Sequence, residues 1–167
     1  YTLHKACKAF TEVTGMEFTE NSHGYTDTPA AEDLKASCTI SMSAFLEALQ
    51  KAYDNAVETT GVPAKTGLGI VVDATVADED AENEKGASAQ VTSTIVAATF
   101  DSNDVIVSIS VDAAQQKAAF DLEGQLAGSV DLRTKIEKQG DYGMVGASAI
   151  GKEYFEQVKA LGEWMVG

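Results

Sequence analysis

The sequence predicts an α+β fold in which an antiparallel sheet packs with amphipathic helices. Helical patterns come first, β-rich runs begin at Gly67, and a helical pattern returns after the segment Tyr142-Gly143-Met144. Elements of one type therefore follow one another, without the strand–helix alternation that produces a parallel sheet. With 167 residues, of which 44% are hydrophobic, the chain has the size of one domain with a real core.

Apolar residues recur with helical spacing in three segments, which we expect to form amphipathic helices: residues 2–13, residues 44–58 and a C-terminal run that Ser148 begins. For the second helix, Ser41 or Ser43 is the expected N-cap, because a hydroxyl oxygen can accept a hydrogen bond from a first-turn N–H. Gly61 and Pro63 are expected to end this helix.

Three β-rich runs follow and predict strands: Leu68–Val76, Val91–Phe100 and Val105–Val111. The polar tetrapeptide Asp101-Ser102-Asn103-Asp104 predicts a turn between the second and third strands. A further strand is expected through Ala118–Leu122, with a turn near Gly124. Residues 17–32 and the acidic residues 78–85 are expected to be loops.

Charge and composition exclude several function classes. The 26 acidic and 12 basic residues give a net charge of −14, which repels a phosphate backbone, so no nucleic acid is expected as a partner. His4 and His23 are isolated and no Cys/His spacing resembles a zinc site, so no metal is expected. Cys7 and Cys38 do not form a disulfide framework, and unpaired thiols are favoured over a disulfide between them.

The usual enzyme signatures are also missing from the sequence. There is no Gly-x-Ser-x-Gly elbow, no His-Glu-x-x-His, no phosphate loop and no dinucleotide fingerprint. No apolar run is long enough to span a membrane and no signal peptide is visible, but Tyr1 has the context of a mid-helix residue. We therefore expect this chain to be part of a longer protein that is not an enzyme with its own substrate.

One segment stands out: Asp33-Leu34-Lys35-Ala36-Ser37-Cys38-Thr39-Ile40-Ser41. It places one threonine hydroxyl among small residues, just ahead of the helix expected over residues 44–58. A helix N-terminus favours a phosphate, because its N–H groups and the positive end of its dipole attract an anion. A threonine before a helix is also a common cap or turn residue, and the segment alone fits both interpretations.

This segment resembles the acceptor motif of the covalent FMN-binding domain family. In that family a flavin transferase links FMN by a phosphoester to the threonine of the pattern acidic-x-x-Ser-Gly-Ala-Thr-x-Thr/Ser. Asp33 matches the acidic residue, Thr39 the acceptor and Ser41 the last hydroxyl. Three other small residues take the places of Ser, Gly and Ala: Ala36, Ser37 and Cys38. The resemblance implies that these residues bind FMN and that Asp33 helps the transferase to recognise or orient the acceptor. From its position alone, Asp33 fits a turn or helix-entry residue equally well.

The resemblance extends over nearly the whole chain and is strongest to one branch, the flavinylated surface lipoproteins of Gram-positive bacteria. The segments that support it are Gly67–Val71, a hairpin expected through Ala114-Gln115-Gln116, Asp141–Met144 and Ala149–Glu153. Residues 162–167 and 8–13 resemble the two halves of a junction between consecutive units of a tandem protein. The resemblance therefore implies one FMN-binding-type domain over residues 1–167, with a junction helix at residues 1–13.

In that branch the function is extracellular electron transfer. The resemblance implies a flavoprotein electron carrier at the cell surface, in a parent protein held by a lipid anchor. Its partners would be the flavin transferase, a membrane electron donor such as a quinone-linked dehydrogenase system, and extracellular acceptors or flavin shuttles. Covalent attachment suits this task, because a dissociable FMN outside the cell would be lost by dilution.

Other residues are candidates to contact the flavin ring. Tyr142 and Met144 can stack on the isoalloxazine or simply pack within their loop, and Trp164 can stack or belong to the core. Lys152 and Gln115 are candidates for the polar edge of the ring. An alternative function also stays open, in which the same fold has no cofactor and serves as a non-redox binding or adhesion module at the cell surface.

Overall fold

A computed structural model of the chain describes residues 18–19, 28–29, 40 and 42–167. The chain divides into two compact units, Tyr1–Ala56 and Val57–Gly167. The helix predicted over residues 2–13 lies outside the described residues, as do Cys7 and Cys38.

In the first unit, the residues that the structure describes form a short strand pair and one helix. Strands β1 (Phe18–Thr19) and β2 (Thr28–Pro29) pair antiparallel, and helix α1 spans Ser43–Asp54. The expectation that residues 17–32 form only a loop is wrong at these two strands. Strands of two residues are too short to show the alternation by which a strand is recognised in a sequence.

Helix α1 is shorter at its C-terminus than predicted, and the expected cap by Ser43 is wrong. Met42 is the N-cap residue, with φ −96° and ψ −14°, and its carbonyl accepts a hydrogen bond from the Leu46 N–H at 2.9 Å. A serine cap needs an extended backbone, which a residue already inside the helix does not have. The other candidate cap, Ser41, lies outside the described residues.

The C-terminus of α1 is set by Asn55. Its backbone leaves the helical region at φ −96° and ψ 6°, while its N–H still bonds to the carbonyl of Lys51 at 3.0 Å. The carbonyl of Tyr53 accepts the N–H of the next residue, Ala56, at 3.1 Å. The helix therefore ends well before Gly61, and Val57, expected in the apolar stripe, is 56% exposed.

The second unit contains a three-stranded antiparallel sheet of order β3-β4-β5. Its strands are β3 (Lys65–Ala77), β4 (Ser88–Phe100) and β5 (Ile106–Ala119). Strands β3 and β4 contain the predicted runs and extend beyond them, and β5 contains its predicted run except for Val105 and continues to Ala119. With the helices, these strands confirm the α+β class.

The turn predicted at Asp101–Asp104 is confirmed. The Asp101 carboxylate accepts hydrogen bonds from the N–H groups of Asn103 at 2.8 Å and Val105 at 3.0 Å. These bonds, with that of Val105 the larger cause, hold the pKa of Asp101 below its usual range. Asp104 has φ 65°, a left-handed conformation that an aspartate tolerates better than most residues.

Two predictions for the region after residue 111 are wrong. Ala114-Gln115-Gln116 lies inside β5, where Gln115 pairs with Thr92, so there is no hairpin at that point. The separate strand at Ala118–Leu122 is replaced by the end of β5 and a single bridge between Phe120 and Leu126. The turn near Gly124 is confirmed, with φ +77° at that glycine.

The chain ends in short helical turns and a longer helix. Helix α2 spans Lys135–Lys138, and two 3₁₀ turns follow at Gln139–Tyr142 and Met144–Gly146. Helix α3 spans Tyr154–Met165 and lies on β5, where Gly162 lets it approach the side chain of Ile109.

The predicted cap of this last helix is wrong. Glu153, not Ser148, is its N-cap residue, and the backbone N–H of Glu153 donates to the Glu156 carboxylate in the first turn at 2.9 Å. The Ser148 hydroxyl instead accepts hydrogen bonds from the Ile150 N–H at 3.4 Å and the Gln157 side chain at 3.2 Å.

Candidate functional site

The predicted FMN-acceptor residues lie outside the described part of the chain: Asp33, Ala36, Ser37, Cys38, Thr39 and Ser41. The structure does describe the helix that follows them. Helix α1 begins at Ser43, its first turn contains no acidic residue, and within the described residues the Met42 side chain makes no cap hydrogen bond. No first-turn carboxylate therefore offsets the positive end of the helix dipole, which suits a nearby anion.

Tyr142 and Met144, the other two predicted site residues, lie in consecutive 3₁₀ turns of the second unit. Gly143 joins the turns at φ 75° and ψ 27°, a left-handed conformation that costs a residue with a side chain about 1 kcal/mol or more. Both Tyr142 and Met144 are half-buried.

A buried carboxylate fixes this loop, and sequence reasoning did not identify it. Glu153 accepts hydrogen bonds from the N–H of Met144 at 2.9 Å and the N–H of Val145 at 3.2 Å, one to each oxygen. Its own N–H donates to the Glu156 carboxylate at 2.9 Å, which completes a capping box at the start of α3. The loop that presents Met144 is therefore tied to the helix by charge-assisted hydrogen bonds.

Tyr142, Tyr154 and Lys135 form a cluster, which we call the tyrosine–lysine cluster. The Lys135 ammonium lies 4.9 Å from the centre of the Tyr142 ring and 5.1 Å from that of Tyr154. The two rings meet edge to face, with centres 5.8 Å apart and planes inclined at 70°. Because Lys135 lies over one face of the Tyr142 ring, a planar ligand that stacks on this tyrosine has to use the opposite face.

Polar groups surround the hydroxyl end of Tyr142. Its OH donates a long hydrogen bond of 3.4 Å to the side-chain oxygen of Gln115. The Lys138 ammonium donates to the Gln115 backbone carbonyl at 3.3 Å, and its side chain is only 12% exposed. The structure thus brings together Gln115 and Tyr142, two of the residues selected from the sequence.

The cation that contacts Tyr142 is Lys135, not the lysine that the sequence suggested. Lys135 and Lys138 lie in α2, whereas the exposed Lys152 is held through its carbonyl, which accepts a bond of 2.8 Å from the Gln157 side chain. Helix α2 has four residues, too few for a periodic pattern, so the sequence offered no sign that Lys135 lies over the ring of Tyr142.

The pKa of the Tyr154 side chain is shifted by burial and by neighbouring negative charge. Desolvation is the main reason why the pKa of Tyr154 is raised, and the Asp112 and Tyr142 side chains add to it. Tyr154 therefore stays protonated well into the alkaline range.

Ion pairs hold the segment that leads into α2. Arg133 contacts the carboxylates of Asp131 and Asp141, each at 3.0 Å. The hydrogen bond from the Arg133 side chain is the main reason why the pKa of Asp131 is lowered, and the same pair raises the pKa of Arg133.

Trp164 lies in the last turn of α3 and is 82% exposed, so its interpretation as a core residue is wrong. Among the described residues no group of three His, Cys, Asp or Glu side chains could hold a metal ion. In the same part of the chain, no helix has both the length and the apolar character needed to cross a membrane.

Comparison of the chain with known proteins finds no relative. The sequence matches no family model, and no curated protein and no solved structure is significantly similar to it.

Proposed function

We propose that this chain is an extracellular electron-transfer module that carries FMN on Thr39 through a phosphoester, in a fold like that of the covalent FMN-binding domains. One observation carries the proposal: the segment from Asp33 to Ser41 has the spacing of the acceptor motif and is followed at once by α1. The antiparallel sheet with helices is compatible with such a fold.

The local chemistry of α1 fits a phosphate. The phosphoester is an anion, and the first turn of α1 has no carboxylate that would repel it. The side chains next to the acceptor in the sequence are small, which leaves room for the active site of a transferase. In the linked state the Thr39 oxygen is an ester oxygen and no longer a donor, whereas the Ser41 hydroxyl can still donate a hydrogen bond to the phosphate.

The bound FMN supplies reversible electron transfer, and the protein supplies position and electrostatics. The net charge of −14 disfavours the addition of electrons, whereas a nearby lysine favours it. The face of the Tyr142 ring opposite Lys135 offers an aromatic surface on which a planar ring can stack. Contact of Tyr142 and Met144 with the flavin ring stays a prediction.

The chain itself has no substrate to transform in this proposal. A separate flavin transferase modifies it, a membrane system delivers electrons, and another flavin unit, a soluble shuttle or an extracellular acceptor removes them. The module works outside the cytoplasm at the cell surface, within a lipid-anchored parent protein.

Intact-mass spectrometry after co-expression with a flavin transferase tests the proposal, with peptide mapping of the product. We expect one FMN adduct on the peptide that contains Thr39 and none in the Thr39→Ala variant. Ser41→Ala is the matched control, because it removes a hydroxyl from the same segment but leaves the acceptor, and it should still be modified. Circular dichroism of both variants establishes that each is folded.

Two results would overturn the assignment. The first is a covalent flavin retained in Thr39→Ala. The second is an unmodified parent chain under conditions in which the same transferase modifies a known acceptor. The second result would favour the alternative, a surface-binding module of the same fold without redox chemistry.

A further inference from the structure

Among the residues that the structure describes, strand β3 forms an open edge of the three-stranded sheet. Within the described part of the chain it pairs with β4 alone, and every one of its side chains is exposed. Leu68, Ile70 and Val72 lie on the same face of β3, because every second residue of a strand shares a face. Their side chains are 68%, 57% and 62% exposed. The outer N–H and C=O groups of such a strand are a template for pairing with another strand.

This edge lacks the usual protection against pairing. Proteins commonly blunt an exposed edge with proline, with charged side chains, with a bulge or by keeping the strand short. Residues 66–72 contain no proline and no charge. The register of β3 with β4 runs without interruption from Lys65 opposite Phe100 to Ala77 opposite Ser88.

The charges at the ends of this uncharged stretch are arranged symmetrically. Lys65 and Asp73 lie on the same face of β3 and at equal distances along the strand from Gly69. If two copies of β3 run antiparallel with Gly69 opposite Gly69, each Lys65 faces Asp73 of the partner subunit. The same register places each Leu68 opposite Ile70 of the partner subunit.

From this complementarity we infer that β3 binds β3 of a second copy of the chain, antiparallel and centred on Gly69. The contact is isologous, as expected for a two-fold dimer, and it joins two three-stranded sheets into one continuous sheet. Glycine at the centre allows the two strands to approach closely on the two-fold axis. This inference does not depend on the proposed function.

Two charge effects act on this contact. Lys65 also pairs with Asp104 of its own chain, but its side chain is 61% exposed and its charge stays accessible. The net charge of −14 on each copy opposes association. Salt at about 0.15 M screens this repulsion over distances beyond about 8 Å, whereas directly opposed side chains are closer than that.

Sedimentation velocity of the 167-residue chain at several concentrations tests the inference. We expect the 167-residue chain without substitutions to form a reversible dimer. Lys65→Glu replaces two attractive pairs by two repulsive ones and should weaken the dimer by about tenfold or more. Adding Asp73→Lys to that variant restores opposite charges across the two-fold axis and should restore the dimer.

Asp104→Asn is the matched control. It breaks the pair between Lys65 and its own chain but leaves both proposed intersubunit pairs, so the dimer should persist. Asparagine also tolerates the φ of 65° at this position.

Three results would overturn the inference: a monomer at every concentration, a dimer that Lys65→Glu does not weaken, or a double variant that stays as weak as the single one. Amide hydrogen exchange adds a second readout. Protection of the β3 amides should grow with protein concentration. Full protection in a monomer would mean that another part of the chain covers the edge, and it would overturn the inference too.

Discussion

The buried carboxylate of Glu153 holds the backbone of Met144, whose N–H donates to it at 2.9 Å. The other carboxylate oxygen accepts the N–H of Val145, so the two oxygens bind the N–H groups of two consecutive residues. A side chain at the start of α3 thereby fixes a loop that precedes it in the sequence, and we expect it to matter for stability.

Glu153→Ala should lower the free energy of unfolding by about 2–3 kcal/mol, because it removes two charge-assisted hydrogen bonds and leaves the two N–H groups without their acceptor. Urea denaturation measures the change. Glu163→Ala, in the exposed part of the same helix, is the control and should change stability by no more than about 0.5 kcal/mol. Equal effects of the two substitutions would contradict the role given to Glu153.

The elements predicted well are those whose signal is local and repeated. Strands β3 and β4 contain β-branched residues at regular spacing, and both were expected from the sequence. The end of β4 at Phe100 was also expected, but the other ends of these two strands were not, because pairing carries low-propensity residues such as Ala77 and Ser88 into the ladder. The same effect keeps Gln115 in the middle of β5, where it pairs with Thr92 instead of turning.

The contacts around Tyr142 could not be predicted for a different reason. Lys135, Tyr142 and Tyr154 belong to three separate elements, and only the packing of α2 and α3 brings them together. Glu153 was missed because a glutamate is an uncommon N-cap and Ser148 offered a more typical one. Sequence reasoning found Tyr142 but not the residues that determine how it is held.

Gly86 is a position where a side chain cannot fit. A Cβ at this residue would lie 1.8 Å from the backbone oxygen of Phe120, and a backbone atom cannot move aside cheaply. We expect Gly86→Ala to destabilise the second unit by about 3 kcal/mol, the upper end of the usual cost of overpacking. Thermal and urea denaturation would both report the loss.

Gly140→Ala is the matched control for this substitution. No atom lies within 4 Å of a Cβ built at Gly140, and its φ is not positive. Alanine there should stabilise the protein by about 0.4–1 kcal/mol, because it reduces the conformational entropy of the unfolded chain. A similar loss of stability in both variants would mean that the close approach at Gly86 is not the cause.

Stability at high pH should depend on Tyr154. Its pKa in the folded protein is raised, chiefly by burial, above its value in the unfolded chain. The unfolded chain therefore loses this proton first, near pH 10, and the contribution of Tyr154 to stability is lost as the pH rises through the folded pKa. Tyr154→Phe has no proton to lose and should flatten the decline. Urea denaturation from pH 8 to about 11 tests this, and identical slopes in both proteins would contradict it.

Stability at low pH should depend on Asp101, whose pKa is shifted downward on folding, whereas that of Tyr154 is shifted upward. Its pKa is lowered in the folded protein by the N–H groups of Val105 and Asn103, from an unfolded value near 3.8. The stabilisation is therefore present above that value and is lost as the pH falls through the folded pKa. Asp101→Asn keeps an acceptor oxygen but removes the titration, so it should be less stable than the parent at neutral pH and lose less on acidification. Unfolding followed from about pH 5 to 2 would show two curves that converge. Parallel curves would mean that the Asp101 carboxylate does not hold the turn between β4 and β5 in its charged form.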